Sequence, residues 1–277
     1  MTMTYTSLDL AGLNLEGSEL SSIAAEDCCW LNANFDRLAV QAIEFIRCDM
    51  AGSSFVASDI SQARFDGSAL TGANFSKANM REVSLAACDL EGAILTETNL
   101  IAADLSVASV RKALVANAAL NHTNLEGTTF RISDLSCSTF QNCRGNMASF
   151  ERASLLNTQW QDTVIEDGNF EFADLRNAVF TRCWFPRCCF VGAALEGTQF
   201  IECDLTGADF YWSDFDNSKC FNCNLKDIRR PEEQKIAYGP KGVKPPVVVP
   251  KPLYREAISE EERAKLLAGC VEPDAAK

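Results

Sequence analysis

Cysteine is the residue type in this chain with the most obvious capacity for chemistry. The sequence contains 13 cysteines and a single histidine, His122. Cys220-Phe221-Asn222-Cys223 has the spacing of half a zinc site, but a tetrahedral site needs four ligands, and neither a second CxxC pair nor a pair of histidines follows it. We therefore expect no bound metal.

The sequence also lacks the motifs of common enzymes. No P-loop, GxGxxG, GxSxG or HExxH pattern occurs. His122 has no serine, cysteine or carboxylate at a spacing that would make it part of a catalytic arrangement, so we expect an ordinary surface histidine. These observations predict a protein without catalytic activity and without a cofactor.

Composition narrows the classes of partner. The chain has 277 residues, 47% of them hydrophobic, and a formal net charge of −13. Such an excess of acid argues against direct binding to nucleic acid or to an anionic membrane, because both need a basic surface. No apolar run is long enough to cross a membrane, and residues 1–10 lack the basic and apolar regions of a secretory signal. We expect a cytoplasmic protein with reduced thiols, although secretion by a signal-independent route stays open.

The elements that position these side chains follow from a strict repeat. Every fifth residue from Tyr5 to Leu225 belongs to one column of 45 positions, of which 42 are large and apolar. A second column, two residues earlier, holds Ala, Ser, Thr, Cys or Gly at 35 of its 36 positions from Cys48 to Cys223. A period of five fits neither a helix nor a strand. The chain must therefore turn a corner in every repeat and direct both columns inward.

Several stretches carry a recognisable pattern, A(D/N)LXX, among them Ala73-Asn74-Phe75, Ala103-Asp104-Leu105 and Ala208-Asp209-Phe210. On these residues the sequence resembles the pentapeptide-repeat family over about four-fifths of its length. The resemblance implies an all-β fold, a right-handed quadrilateral parallel β-helix with 20 residues per coil and about 11 coils. Such solenoids are held together coil by coil.

A coil of 20 residues predicts which side chains stack on one another. One ladder should contain the rings of Phe130, Phe150, Phe170, Phe190 and Phe210. Another should contain the thiols of Cys183, Cys203 and Cys223, for which we weigh packing as small apolar groups against latent oxidation to a disulfide. Gly145 leaves one central position empty, so we expect a local bulge or cavity there.

The repeat ends after Leu225, and the charge changes there. Residues 1–225 contain 29 acidic and 14 basic side chains, a net charge of −15, whereas residues 226–277 carry a net charge of +2. We divide the chain into the β-helix at 1–225, a basic proline-rich extended linker at 226–255, and a short helix with the C-terminal tail at 256–277. The linker either lies along the acidic rod or binds a separate partner.

Aromatic and acidic residues outside the two inward columns concentrate in the last three coils. We predict that they form a partner-binding site, which comprises Phe172, Trp184, Asp209, Tyr211, Trp212, Asp214, Asp216 and Phe221. Phe172 and Trp212 belong to one column with Gly192 between them, so we expect a groove at that point. An exposed apolar patch rimmed by acid usually marks an interaction site. Docking of the protein's own tail on the patch is the alternative to binding a partner.

The leading functional hypothesis is a non-enzymatic interaction or scaffold module, a rigid acidic rod that binds a protein partner through its outer faces and C-terminal end. The family resemblance implies an alternative, DNA mimicry, because gyrase-protecting, fluoroquinolone-resistance members are acidic rods that occupy the DNA-binding surface of a type II topoisomerase. DNA gyrase is then the candidate partner. A third hypothesis is an accessory protein of a secretion system or effector. A dimer is open in each case. A continuous acidic stripe would favour mimicry, and an acidic end beside aromatic residues would favour protein docking.

Overall fold

The computed structural model describes residues 4–18 and 23–230, which wind into one parallel β-solenoid of about 11 coils. Each bridging residue pairs with the residue 20 positions further on, as Asp49 does with Ala69. The all-β solenoid with a 20-residue coil is therefore confirmed. Arg229 pairs with Asp209, so the last coil extends to residue 230. Most of the predicted linker and the whole of the predicted C-terminal helix lie outside the described residues.

Two parts of the solenoid have three-residue strands where the rest has single bridges. A three-stranded parallel sheet contains β1 (Thr4–Thr6), β2 (Ala24–Glu26) and β3 (Glu44–Ile46). A five-stranded parallel sheet contains β4 (Thr139–Gln141), β5 (Gln159–Gln161), β6 (Val179–Thr181), β7 (Gln199–Ile201) and β8 (Lys219–Phe221). A 3-10 turn, Phe215–Asn217, lies between β7 and β8. Within the described ranges, no helix has the length and apolar character to span a bilayer.

Backbone conformation at the corners explains the five-residue period. The second residue of each described corner has a positive φ, between 50° and 73°, with the single exception of Asn217 in the 3-10 turn. Ten glycines occupy such positions, as their spacing predicts. The Asp or Asn of the repeat serves the same corner, because its side-chain oxygen accepts the backbone N–H two residues on. Asp104 accepts from Ser106 at 2.9 Å, and Asn169 accepts from Glu171 at 2.8 Å.

The large column fills the interior with stacked side chains. In the predicted ring ladder, consecutive centroids lie 4.8 to 5.2 Å apart, and the ring planes are within 10° of parallel. This confirms the ladder from Phe130 to Phe210. The small column lies where the wall comes close to the axis, and its polar atoms bond to neighbouring backbone. Thr128 Oγ1 donates to the Leu105 carbonyl at 2.7 Å, and Cys88 Sγ donates to the Phe65 carbonyl at 2.8 Å.

The prediction of a bulge or cavity at Gly145 is wrong. The Gly145 N–H donates to the Val164 carbonyl at 3.0 Å, so the ladder of hydrogen bonds continues through this repeat. A Cβ atom at residue 145 would lie 3.0 Å from Cβ of Leu125 and 3.3 Å from Cβ of Ala148. Neighbouring side chains have therefore closed the space that the missing side chain would have filled, as close packing requires.

Candidate partner-binding surface

Three of the predicted aromatic residues lie along one corner of the rod, near its C-terminal end. Phe172 and Trp212 occupy the same position of the coil, two coils apart, and Tyr211 precedes Trp212 on that corner. The Tyr211 and Trp212 rings have centroids 4.8 Å apart. Trp212 is 52% exposed, a large apolar area for a single side chain. We call Phe172, Tyr211 and Trp212 the aromatic corner.

The groove predicted between Phe172 and Trp212 does not exist, because the Phe172 ring fills it. A Cβ atom at Gly192 would lie 2.5 Å from Cδ1 and Cε1 of Phe172. The ring therefore leans across the glycine towards the next coil. At Gly192 the aromatic corner is therefore a ridge and not a cleft.

Two arginines flank this ridge. The guanidinium carbon of Arg152 lies 5.9 Å from the Phe172 ring centroid, and that of Arg229 lies 5.8 Å from the Tyr211 ring centroid. Both distances suit a cation–π contact. Arg229 also bonds Asp209 at 2.7 Å. The guanidinium groups fix the ring orientations from both sides of the aromatic corner.

Two of the three predicted acidic members of the site, Asp209 and Asp214, form hydrogen bonds within the rod. Asp209 accepts the Tyr211 N–H at 3.0 Å in addition to its bond from Arg229. Asp214 Oδ1 accepts the Leu195 N–H at 2.5 Å, in the place that a backbone carbonyl takes in other coils. Asp216 lies in the 3-10 turn Phe215–Asn217. Asp209 and Asp214 therefore hold the backbone beneath the aromatic corner and do not act as free charges.

The two other predicted aromatic residues lie elsewhere. Trp184 stands on a flat side of the rod, where it pairs with Asp204 of the next coil, and it is 42% exposed. Phe221 ends β8 on the corner diagonally opposite the aromatic corner, since residues 211 and 221 are ten residues, or half a coil, apart. The predicted site is thus divided into the aromatic corner with its acids and two separate exposed rings.

Acidic side chains are spread around the whole rod. All four corners carry them, as Glu97, Glu126, Glu171 and Glu202 illustrate. No position of the coil holds an acidic residue in three consecutive coils of the described chain. This distribution differs from the continuous stripe that DNA mimicry predicts.

Many charges pair along the rod axis, between one coil and the next. Arg182 bonds Asp162 at 2.7 Å, and Arg187 bonds Asp167 at 2.8 Å. The hydrogen bond from the guanidinium holds the pKa of each aspartate below its usual range. Arg47 and Asp27 repeat the arrangement near the N-terminal end, at 3.0 Å. Exposed pairs of this kind add little stability individually, but they neutralise part of the acid surface.

Most of the described cysteines lie in the packed interior of the rod, whereas Cys137 is exposed. Burial raises the pKa of the Cys88, Cys143 and Cys188 thiols to about 12, and that of the Cys220 thiol to about 11. Burial also raises the pKa of Cys183, the first thiol of the predicted ladder. Among the described residues, no group of His, Cys, Asp or Glu side chains has the geometry to hold a metal ion.

A shallow polar groove was missed by the sequence reasoning. It has a volume of about 360 Å³ and follows strands β4 to β6 on one side of the rod, above the buried rings of Phe140 and Trp160. The groove is lined by uncharged side chains, namely Asn121, Thr139, Gln141, Gln159, Gln161, Val179 and Thr181. The sequence signal was that the residues immediately before and after Phe140, Trp160 and Phe180, which occupy the same position in three successive coils, are all uncharged. Amides and hydroxyls of this kind suit hydrogen bonding to a neutral ligand.

Comparison with known proteins identifies the repeat. A model described as pentapeptide repeat region matches residues 18–95, and one described as pentapeptide repeats (8 copies) matches residues 78–115, 148–182 and 187–227. Together these matches cover more than half of the chain. No curated protein matches the sequence.

Several solved structures are similar to this one in part. HetL, a pentapeptide repeat protein involved in heterocyst differentiation regulation from the cyanobacterium Nostoc sp. strain PCC 7120, is 20% identical, with 70% of this chain and 88% of HetL covered and a TM-score of 0.30. Rfr23 from the cyanobacterium Cyanothece 51142 is 21% identical over 48% of this chain and 87% of its own, with a TM-score of 0.30. A trypsin-treated variant of QnrB1, a plasmid-mediated fluoroquinolone resistance protein, is 14% identical over 85% of this chain and all of its own, with a TM-score of 0.29. With the family-model matches and the 20-residue parallel coil, the chain belongs to the pentapeptide-repeat family.

Proposed function

We propose that this protein is a non-enzymatic interaction module whose aromatic corner binds a partner protein. The observation that carries the proposal is the corner of Phe172, Tyr211 and Trp212, where Trp212 is 52% exposed, the Tyr211 and Trp212 rings lie 4.8 Å apart, and two arginines flank the rings. Trp and Tyr are enriched in the parts of interfaces that supply most binding energy. A rigid solenoid holds them at a fixed height and spacing, so little conformational entropy is lost on binding.

The shape of the corner favours an extended partner segment that contains proline. A ridge offers flat ring faces and no enclosed pocket, which suits a polyproline-type helix better than a single inserted side chain. The Trp212 side chain is 52% exposed, so its indole Nε1–H can donate to a backbone carbonyl of the partner. The acids beneath the ridge are already bonded, so we expect apolar contacts to dominate.

A photo-crosslinking amino acid at position 212 of the full-length chain tests this proposal. The same amino acid at position 184 is the matched control, because Trp184 is also exposed but lies on another face. We expect adducts with a partner at position 212, mapped by mass spectrometry to a proline-containing segment, and none at position 184. Tyr211→Ala should reduce the yield of those adducts several-fold.

Each contrary outcome is informative. Adducts that map to residues 231–277 of the same chain would replace the proposal by docking of the protein's own tail. Equal adducts at positions 212 and 184 would show that the aromatic corner is not a specific surface. The absence of adducts at position 212 would also overturn the proposal.

DNA mimicry is the second candidate, favoured by the net charge of −15 on residues 1–225. It requires carboxylates arranged like phosphates, and the spread of acid over four corners together with the pairing between coils gives it less support than protein docking. Inhibition of supercoiling by purified gyrase separates the two. Inhibition that survives Trp212→Ala but is lost when Glu151 and Glu171, adjacent on one corner, are changed to Gln would favour mimicry.

A further inference from the structure

The N-terminal end of the solenoid exposes side chains whose counterparts in the second coil are buried. Tyr5, Leu8 and Leu13 are 44%, 42% and 38% exposed. One coil further on, the corresponding residues Ala25 and Cys28 are almost completely buried. Leu8 and Leu13 belong to the inward column that holds small residues at 35 of its 36 positions from Cys48 to Cys223, so the first coil has a larger apolar layer than the coils beyond residue 48.

The same end also carries unpaired backbone groups. In the second coil, the Cys29 N–H donates to the Leu8 carbonyl, and the Cys29 carbonyl accepts from Leu10. The equivalent groups of the first coil, the N–H and C=O of Asp9 and of Asn14, have no partner within the described residues. They face along the axis, away from the second coil. An apolar layer bordered by an open hydrogen-bonding edge is a surface that other chains readily pair with.

We propose that this end of the rod, formed by Tyr5, Leu8, Asp9, Leu13 and Asn14, is the interface with a second copy of the same chain. A two-fold axis perpendicular to the rod axis would bring the first coils of two copies together, edge to edge. Their edges then run antiparallel, and each presents both donors and acceptors, so the surface is complementary to itself. The two apolar layers bury each other in the same contact.

A head-to-tail arrangement fits the structure less well. It would place this end on the last coil, where the chain continues beyond Arg230 for another 47 residues. A contact between unlike ends also leaves a free end on every assembly and produces filaments. A contact between like ends closes as a dimer.

The size and charge of the end predict a weak, salt-dependent dimer. A coil about 20 Å on a side offers roughly 400 Å² per copy, or about 800 Å² in total, which is below the size of most stable interfaces. The rods are acidic and repel one another, although Arg37 and Arg47 pair with Glu16 and Asp27 near this end. Because salt screens the repulsion and leaves the apolar contact intact, association should strengthen as ionic strength rises.

Sedimentation equilibrium of the full-length protein over a wide concentration range tests the proposal. The weight-average mass should rise with concentration from 30.3 kDa towards twice that value, and it should rise at lower concentration in 0.5 M salt than in 0.05 M salt. Leu8→Arg and Leu13→Arg should each weaken association at least ten-fold. Val107→Arg and Met147→Arg are matched controls, since these exposed apolar residues lie on corners in the middle of the rod, and neither should change association.

The outcomes are decisive in either direction. Circular dichroism of each variant shows whether the solenoid is intact, and both leucines are partly exposed, so arginine is tolerated there. A monomer at every concentration overturns the proposal, as does a dimer that Leu8→Arg and Leu13→Arg leave unchanged. Small-angle scattering should give a dimer about twice the length of the rod. Particles that lengthen without limit would indicate head-to-tail contacts instead.

Discussion

The ring of Phe172 lies across Gly192, so close that a Cβ atom on the glycine would be 2.5 Å from two ring carbons. The glycine is the favoured residue at this corner for two reasons. Its φ of +66° is costly for other residues, and its missing side chain leaves the surface on which the ring rests. The position of one aromatic residue of the candidate site is thus set by a glycine in the next coil.

Gly192→Ala should therefore destabilise the protein more than an equivalent change elsewhere. Gly72 is the matched control, because its φ is also +66° and nothing lies within 4 Å of an added Cβ. We expect Gly72→Ala to cost about 1 kcal/mol from backbone strain alone. Gly192→Ala should cost about 1–2 kcal/mol more because the Phe172 ring must move. Denaturant unfolding of the two variants measures the difference, and equal losses would contradict the packing of Phe172.

Phe190 should be among the most sensitive positions of the core. It stacks between Phe170 and Phe210 with centroid distances of 4.8 Å on both sides. Phe190→Ala removes both contacts and leaves a cavity that rigid coils cannot close, so we expect a loss of about 3–5 kcal/mol in the free energy of unfolding. Phe190→Leu should lose less than half as much. Near-equal losses would show that the coils relax around a smaller side chain.

The periodicity of the sequence predicted the packing of the core in detail. The residues predicted to form one site, however, lie on different sides of the coil. The ring ladder followed from counting in steps of 20, because stacked coils require residues of equal register to meet. The same counting separates Trp184 and Phe221 from Trp212, since they fall on other sides of the coil. Grouping the aromatic residues by distance along the chain alone therefore produced a site that the fold does not assemble.

Other features depended on contacts that the repeat does not encode. The lean of Phe172 over Gly192 is a choice of rotamer, set by the space above the glycine and the guanidinium of Arg152. The register of large residues runs unbroken through Phe215, yet the backbone there forms a 3-10 turn in which the Asp214 carboxylate replaces a backbone acceptor. The open space expected at Gly145 was closed by Leu125 and Ala148, which a sequence count cannot foresee.

The ion pair between Arg187 and Asp167 predicts a specific dependence of stability on pH. Arg187 holds the pKa of Asp167 below its usual range, and an aspartate in the unfolded chain titrates near about 3.9. The pair therefore stabilises the folded state above roughly pH 4, and this contribution is lost as the pH falls through the lower folded pKa. Arg187→Ala should lower the melting temperature slightly at pH 7, and the difference from the parent should shrink towards pH 3.

Lys77→Ala provides the control for that measurement. Lys77 occupies a corner of the same kind, and it has no ion pair among the described residues. Its substitution should give a difference from the parent that does not vary between pH 7 and pH 3. A difference for Arg187→Ala that is equally constant would show that the guanidinium acts through packing and not through the charge of Asp167.

Thiol reactivity tests whether the small inward column is closed to solvent along the rod. Cys137 is exposed, whereas Cys143 and Cys188 are buried and have pKa values of about 12. Only the thiolate reacts with iodoacetamide, and at pH 8 a thiol with a pKa of 12 is ionised to about one part in ten thousand. We expect Cys137 to be labelled at least 100-fold faster than Cys143 or Cys188 in the native protein, as followed by peptide mass spectrometry. In denaturant the three rates should become similar, because burial is the cause of the protection. Rapid native labelling of Cys143 would mean that the coils separate locally, and the stacked-core account of these cysteines would then fail.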